Sequence, residues 1–361
     1  MLRLAFMIAL LLAAPAKALE TDAGPVTVTR MIAGLTEPWA LGFLPGGGVL
    51  VTERGGRLLL HRDGETRAVA GVPRVAAIGQ GGLLDLLVPD DFSRSRTLFF
   101  TYAKPQRGGA GTAVARARLS EDGRRLETWE VIFELTPGSS GGRHFGSRIV
   151  EGADGYLYVT IGDRGDRPSS QDLSRENGSV IRIARDGTIP PDNPFVNTAG
   201  ARPAIWSYGH RNPQGAALDL SGNLWVVEHG ARGGDEINRV RRGDNYGWPV
   251  ISYGRHYSGA KIGEGTHKQG MEQPEFYWDP SIAPSGMMIY SGRLWPEWRG
   301  HIMVGSLKFD MISHLAGTPL EEIARHASPA TARVRDIVEA PDGSIWFLSV
   351  GGGAAYRMTP G

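Results

Sequence analysis

The sequence predicts an all-β fold, a six-bladed β-propeller, on two observations. A turn followed by a short run of Val, Ile, Leu, Phe, Tyr and Trp recurs about six times, at intervals of about 40 to 80 residues. No long helical period appears after the first residues. Repeats of this kind suit blades of about four strands set around a channel. A β-sandwich with long loops is the competing architecture, but it does not require its strands to look alike.

In chain order the units are Gly46-Gly47-Gly48 then VLVTE, Ser93 to Arg96 then TLFFTY, and Asp154-Gly155 then YLYVTIGD. Ser221-Gly222 then NLWVVEHG, Arg299-Gly300 then HIMVGSLK, and Asp342-Gly343 then SIWFLSV complete the set. Glycine and short polar residues favour the turn, while β-branched and aromatic residues favour the strand. The uneven spacing implies insertions, and Gly108 to Gly111, Gly138 to Gly142 and Arg255 to Gln273 read as loops. Thr52-Glu53, Gly162-Asp163, Glu228-His229-Gly230 and Lys308 close four of the units. Equivalent points on successive blades converge at the channel, so these residues are expected to meet.

The first residues, MLRLAFMIALLLAAPAKA, carry Arg3, an apolar run from Leu4 to Ala14, and a small-x-small site at Ala16-Lys17-Ala18. That pattern is an export signal cut after Ala18, and the apolar run is too short to span a membrane comfortably. Residues 1–18 are therefore read as the signal and 19–361 as a single propeller domain, periplasmic or secreted. The absence of cysteine leaves the domain to be held by its core and rules out thiolate metal sites and covalently attached c-type haem. With 39 Lys and Arg against 38 Asp and Glu, no global field draws nucleic acid.

Chemistry concentrates between Ile205 and Pro249, where His210, Arg211, Asn212, Gln214, Glu228, His229, Arg232, Asp235 and Glu236 crowd one short strand-like run. Such density marks a site more readily than a scaffold, although a solvated, glycine-rich blade connection is the plainer alternative. His144 in GGRHFG and Asp163 in TIGDRGD form a candidate general base and the carboxylate that would orient it. Arg211, Lys308, Arg333 and Arg335 form a cationic set suited to a multiply charged anion. Arg333 and Arg335 have strand spacing and are expected on one face, where two solvent-facing arginines are the usual reading. Oxygen donors gather at Gly230, Ala231, Asp235, Glu236 and the Asn245-Tyr246 turn, which fits either a hard cation such as calcium or solvated loop acids.

GQGGLLDL, GRHFGSRIV, TIGDRGD, DGTIPPDNPF, GHRNPQG, EHGARGGDEIN, NYGWP, APSG and RVRD stand in one order along the chain. In that order they resemble the soluble glucose and aldose sugar dehydrogenases that use pyrroloquinoline quinone, over nearly all of the mature chain. The resemblance implies a six-bladed propeller with the quinone above its channel, and an aldose substrate oxidised at C1 to its lactone. It implies His144 as the base for the anomeric hydroxyl, Asp163 as its orienting carboxylate, and Arg211 near the reactive carbonyls. Gln80, Asn212, His229 and Ser281 would lie about the quinone, with Lys308, Arg333 and Arg335 on its carboxylates. The Gly230 and Ala231 carbonyls would hold a calcium that polarises the quinone, and Glu236 and the Tyr246 carbonyl part of a second calcium site. An external electron acceptor is implied, and a monomer or weak dimer.

His229 follows the aldose sugar dehydrogenase branch, since the glucose branch has glutamine there; Ala231 replaces a proline common to both, which loosens its loop. Two other classes compete: a calcium-dependent propeller lactonase, which needs no Lys308, Arg333 and Arg335 set, and a non-catalytic binding propeller, which needs no His144, Asp163 and Arg211.

Overall fold

The structure, a computed structural model, describes residues 17–361, so all but the last two residues of the predicted export signal lie outside the described residues. The strands form six antiparallel sheets, five of four strands and one of five. Each predicted unit is the second strand of a different blade: Val49–Glu53, Thr97–Gln106, Leu157–Ile161, Leu224–Glu228, Ile302–Ser306 and Ile345–Ser349. The first strands are Pro38–Phe43, Leu83–Leu87, Ile149–Glu151, Pro213–Leu218, Pro284–Ile289 and Val334–Glu339, and each touches the next in a closed ring around the channel. The propeller is therefore six-bladed, as the repeats indicate. Among the described residues no helix is long and apolar enough to cross a membrane.

Both chain ends close the ring. The sixth blade runs Lys17–Thr21, Gly24–Ala33, Ala354–Pro360, Ile345–Ser349, Val334–Glu339, so N-terminal and C-terminal strands share one sheet. The predicted cut after Ala18 falls inside Lys17–Thr21. One loop expectation is corrected: Gly109 and Gly111 belong to the strand Gly109–Arg118, because the chain turns back at once and pairs with Thr97–Gln106. Arg255 to Gln273 does form a loop, tied down by isolated bridges such as Arg232 with Arg255.

A repeated device joins the blades. The first strand bulges against the second between Pro38 and Ala40 and between Leu83 and Leu86, which takes an N–H out of the ladder. A buried hydroxyl of the second strand accepts that N–H: Ala40 donates to Thr52 at 3.0 Å and Asp85 to Thr101 at 3.0 Å; in the third blade, without a bulge, the N–H of Arg148 just ahead of the first strand donates to Thr160 at 2.9 Å. Each hydroxyl then donates onward to a carbonyl of the following blade, at Leu84 (2.6 Å), Ser147 (2.6 Å) and Pro213 (3.1 Å). Apolar residues fill the space between sheets, such as Leu50, Leu60, Leu86 and Phe100 between the first two blades.

The channel is plugged by Arg148, whose Nη1 lies 3.1 Å from Asp85 and 2.9 Å from Asp336. Its Nε donates to the Gln214 carbonyl at 2.7 Å, and its guanidinium sits 4.3 Å above the Trp39 ring. One side chain thus ties five blades together. Removing one partner of a buried ion pair leaves an uncompensated charge. Asp336→Ala should therefore lower unfolding stability by about 3 kcal/mol in a urea titration, and a surface-sized effect would contradict the hub.

Candidate active site

The candidate residues gather at the end of the channel where first strands begin and second strands finish. His144 lies on the loop before the third blade, with φ of 54°, a conformation costly for a non-glycine residue and held here by its surroundings. Its backbone N–H donates to Gln80 Oε1 at 2.6 Å. Arg164 clamps the same loop, donating to the Arg143 carbonyl and to that of Gly141 at 2.7 Å, with its guanidinium over the Phe145 ring. Gly162 is required to be glycine, because a Cβ there would come within 2.1 Å of the His144 carbonyl oxygen.

His144 Nδ1 donates to Asp163 Oδ1 at 2.6 Å. Asp163 is fully buried and accepts two more N–H bonds, from Gly165 at 2.6 Å and from the Trp248 indole at 2.9 Å. Burial opposes its charge, but the bonds from His144 and Gly165 and the nearby Arg211 outweigh it and hold the carboxyl below its usual range. Burial, then Arg211, lower the His144 imidazole despite Asp163. At neutral pH the pair is a carboxylate and a neutral imidazole whose Nε2 is the free acceptor.

Around this pair the structure brings buried cations that lack anions. Arg211 is 5% exposed; its Nη1 donates to the His229 carbonyl at 3.1 Å, and its Nε has no partner. Asn212 Oδ1 accepts from Gly146 N–H at 3.1 Å, beside the base loop. His229 Nε2 is also buried and unpartnered; burial, with Arg211 and Arg335 near, pushes the imidazole down to about 3, so it stays neutral. Arg335 gives one hydrogen bond, to Gln214 Oε1 at 2.8 Å, and burial pushes it down to about 9. A guanidinium keeps its charge at neutral pH even so, and that depression measures how poorly this one is compensated.

Arg333, Arg335 and Gln80 line one cleft together with Trp39 and Arg54. The strand-spacing argument for the two arginines fails, since Arg333 precedes its strand with φ of 52° and Val334 and Asp336 flank a bulge. They share the cleft for that reason and not through strand alternation. Lys308 donates to the Ser281 carbonyl at 3.1 Å, and Arg333 to the carbonyl of the adjacent Leu307 at 3.0 Å, which places both cations and Ser281 on one rim.

The oxygen donors divide. Gly230, Glu236 and Tyr246 line a second cleft with Arg211, His229 and Trp248. Burial, and Glu228 beside it, push the Glu236 carboxyl up to about 8, which describes a buried acid with no cation near it. Asp235 is not free to ligate: it accepts from Gly230, Ile282 and Ala283 N–H groups at 2.8, 2.8 and 3.1 Å. Glu228 is likewise occupied by His210 at 2.8 Å and the Arg211 N–H at 2.6 Å. Ala231 packs its methyl on Trp248 and Ile262. Among the described residues no three acidic or histidine side chains converge on one point, so any cation held here would rely on backbone carbonyls as well.

Trp248 and Arg54 at the site were not singled out from the sequence, and Gln214 was named only within the polar cluster between Ile205 and Pro249. Trp248 holds Asp163, Gln214 joins Arg335 to the Gly146 carbonyl (3.0 Å), and Arg54 lines the arginine cleft. Arg54 follows the strand Val49–Glu53 as His229 follows Leu224–Glu228, so the repeat itself could have found it.

Fold and site together define a class: a propeller whose mouth sets a His–Asp pair beside arginines that no carboxylate pairs among the described residues. The chain belongs to the glucose/sorbosone dehydrogenase family, whose sequence profile matches residues 35–357. It is 42% identical over 338 residues to the aldose sugar dehydrogenase YliI of Escherichia coli K12, covering 91% of each chain. The crystal structure of the soluble aldose sugar dehydrogenase from Escherichia coli in its apo-form superposes with a TM-score of 0.89 at 40% identity, over 93% of this chain and 100% of that one. The PQQ-bound aldose sugar dehydrogenase of Streptomyces coelicolor superposes at 0.76 and 28% identity, over 95% and 98%. The protein is thus an enzyme of the sugar dehydrogenase class.

Burial that pushes the Arg335 guanidinium down to about 9 means the fold holds that charge at a cost. Arg335→Met should therefore raise the unfolding midpoint of the metal-free, ligand-free protein, measured by urea titration, and a fall would show that the guanidinium is better satisfied than its geometry implies.

Proposed function

We propose that the protein oxidises aldose sugars at C1 to the lactone with pyrroloquinoline quinone and calcium, and that His144 is the base. The observation that carries the reading is the committed Nδ1 of His144, which leaves Nε2 to accept the proton of the anomeric hydroxyl within reach of Arg211. Asp163 keeps the imidazole in that tautomer and supports the imidazolium formed on proton abstraction.

The quinone's three carboxylates fit the residues present. The unpartnered Arg211 Nε, the buried His229 Nε2 and the anion-deficient Arg335 are groups that an anionic, oxygen-rich ring would satisfy. Lys308, Arg333 and Arg335 would hold the carboxylates, with Gln80 and Ser281 alongside, and Arg211, Asn212 and His229 would face the ring. When bound, the quinone supplies the two-electron acceptor for the C1 hydride, polarised by a calcium on the Gly230 and Ala231 carbonyls. Arg211 adds a fixed positive charge in a dry cleft, where it acts without reorganising. Glu236, with the Tyr246 carbonyl, would take a second, structural calcium, which accords with a carboxyl that has no cationic partner among the described residues. Export to the periplasm is part of this proposal, from the first residues of the chain. A lactonase or a binding module would leave the cationic cleft without a use.

Reconstituting the apoprotein with the quinone and calcium, and following bleaching of the quinone against a panel of aldoses, tests the reading. His144→Ala is expected to lower turnover by about 10² to 10⁴-fold while quinone uptake, measured by equilibrium binding, is kept. Near-normal turnover would remove His144 from the base role. A base must be neutral to act, and His144 is depressed below its ordinary 6.5. In a pH profile, kcat/KM should therefore stay level from neutral pH down through 6.5 and fall only below it.

A further inference from the structure

The indole of Trp248 stands where the base, the buried arginine and the glycine turn meet. We infer that Trp248 is a positioning residue for proton transfer at His144, acting through the Asp163 carboxylate. This rests on the assignment of His144 as base.

Asp163 divides its two oxygens unequally. Oδ1 takes the His144 and Gly165 N–H groups, while Oδ2 takes the Trp248 Nε1–H at 2.9 Å and, among the described residues, no other donor. The remaining charges about the pair are accounted for. Arg211 and Arg143 face His144; Arg211 and Arg164 flank Asp163, with Arg164 spent on the Gly141 and Arg143 carbonyls. His229 nearby is neutral.

The indole is itself immobilised. Its backbone N–H donates to the Gly209 carbonyl at 2.8 Å, and its carbonyl accepts from Gln171 Nε2 at 2.8 Å. The ring packs on Ala231 and Ile262, with the Arg211 guanidinium 5.3 Å and the Arg167 guanidinium 5.4 Å from its centre. The N–H therefore meets the carboxylate in one orientation. A donor on Oδ2 takes a share of the anion's charge and leaves less for the imidazolium. It adds to burial and Arg211 in keeping His144 a weak base, neutral and so ready at neutral pH.

Trp248→Phe keeps the ring and its contacts but deletes the donor. In the apoprotein, without quinone or sugar, the His144 imidazole followed by nitrogen NMR is expected to titrate about one pH unit higher than in the parent. In the reconstituted enzyme the acid limb of kcat/KM should move up equally. In an Asp163→Asn background the same substitution should produce no further shift, since the carboxylate it acts through is gone. An unchanged His144 titration in folded Trp248→Phe overturns the proposal, as does a shift that persists beside Asp163→Asn. In the unsubstituted apoprotein the Trp248 indole proton should also move as His144 titrates, and a static signal there overturns the proposal even if the variant fails to fold. Failure of the dehydrogenase reading would show separately, as absent quinone bleaching with intact apoprotein titrations.

Discussion

The structure depends on one buried hydrogen-bond exchange, repeated in the first three blades. A threonine hydroxyl on the second strand accepts an N–H at the start of the first, freed by a bulge in two of the three, then donates to the next blade. A bulge alone would leave a buried donor unsatisfied, and a hydroxyl alone would be a poor core residue. Together they cancel each other's cost and tie neighbouring blades to one another. The residues just before each first strand lie at the channel mouth. Gln80, His144, Arg211, Ser281 and Arg333 all come from that position.

Charge is arranged in two layers along the channel. In the lower layer Arg148 is matched by Asp85 and Asp336 and serves the fold. In the upper layer Arg211 is buried and Arg335 half-buried, and both are matched by amides and carbonyls only. A fold that keeps cations in this condition forgoes stability, and such concessions belong to sites built for a ligand. The same contrast separates the two His–carboxylate pairs. His210 has both nitrogens occupied, by Glu228 and by Ser207 at 2.9 Å, and supports the backbone. His144 has one occupied and one free.

Gln214 explains how these parts stay in register. Its amide oxygen takes Arg335 while its nitrogen reaches the Gly146 carbonyl, two residues from the base. The cationic cleft and the proton acceptor are therefore spaced by one rigid side chain on a first strand. Membership of the glucose/sorbosone dehydrogenase family and the superposition on sugar dehydrogenases agree with this layout.

The six strand units, the fold class and the ordered motifs were legible in the sequence, because turn residues and β-formers act locally and repeat. Residue types at the site were legible for the same reason: His144, Asp163 and Arg211 sit in motifs whose order survives without any coordinates. What the sequence left open was partnership. Asp235 and Glu236 are adjacent and chemically alike, yet one is spent on three backbone N–H groups and the other meets only the Asn238 amide, at 3.4 Å, among the described residues. Arg333 and Arg335 share a cleft through a bulge and a positive φ, features that i, i+2 spacing does not encode. Trp248 reaches Asp163 across 85 positions. Only the closed ring decides such pairs, because a hydrogen bond depends on where two groups lie in space and not on how far apart they lie along the chain.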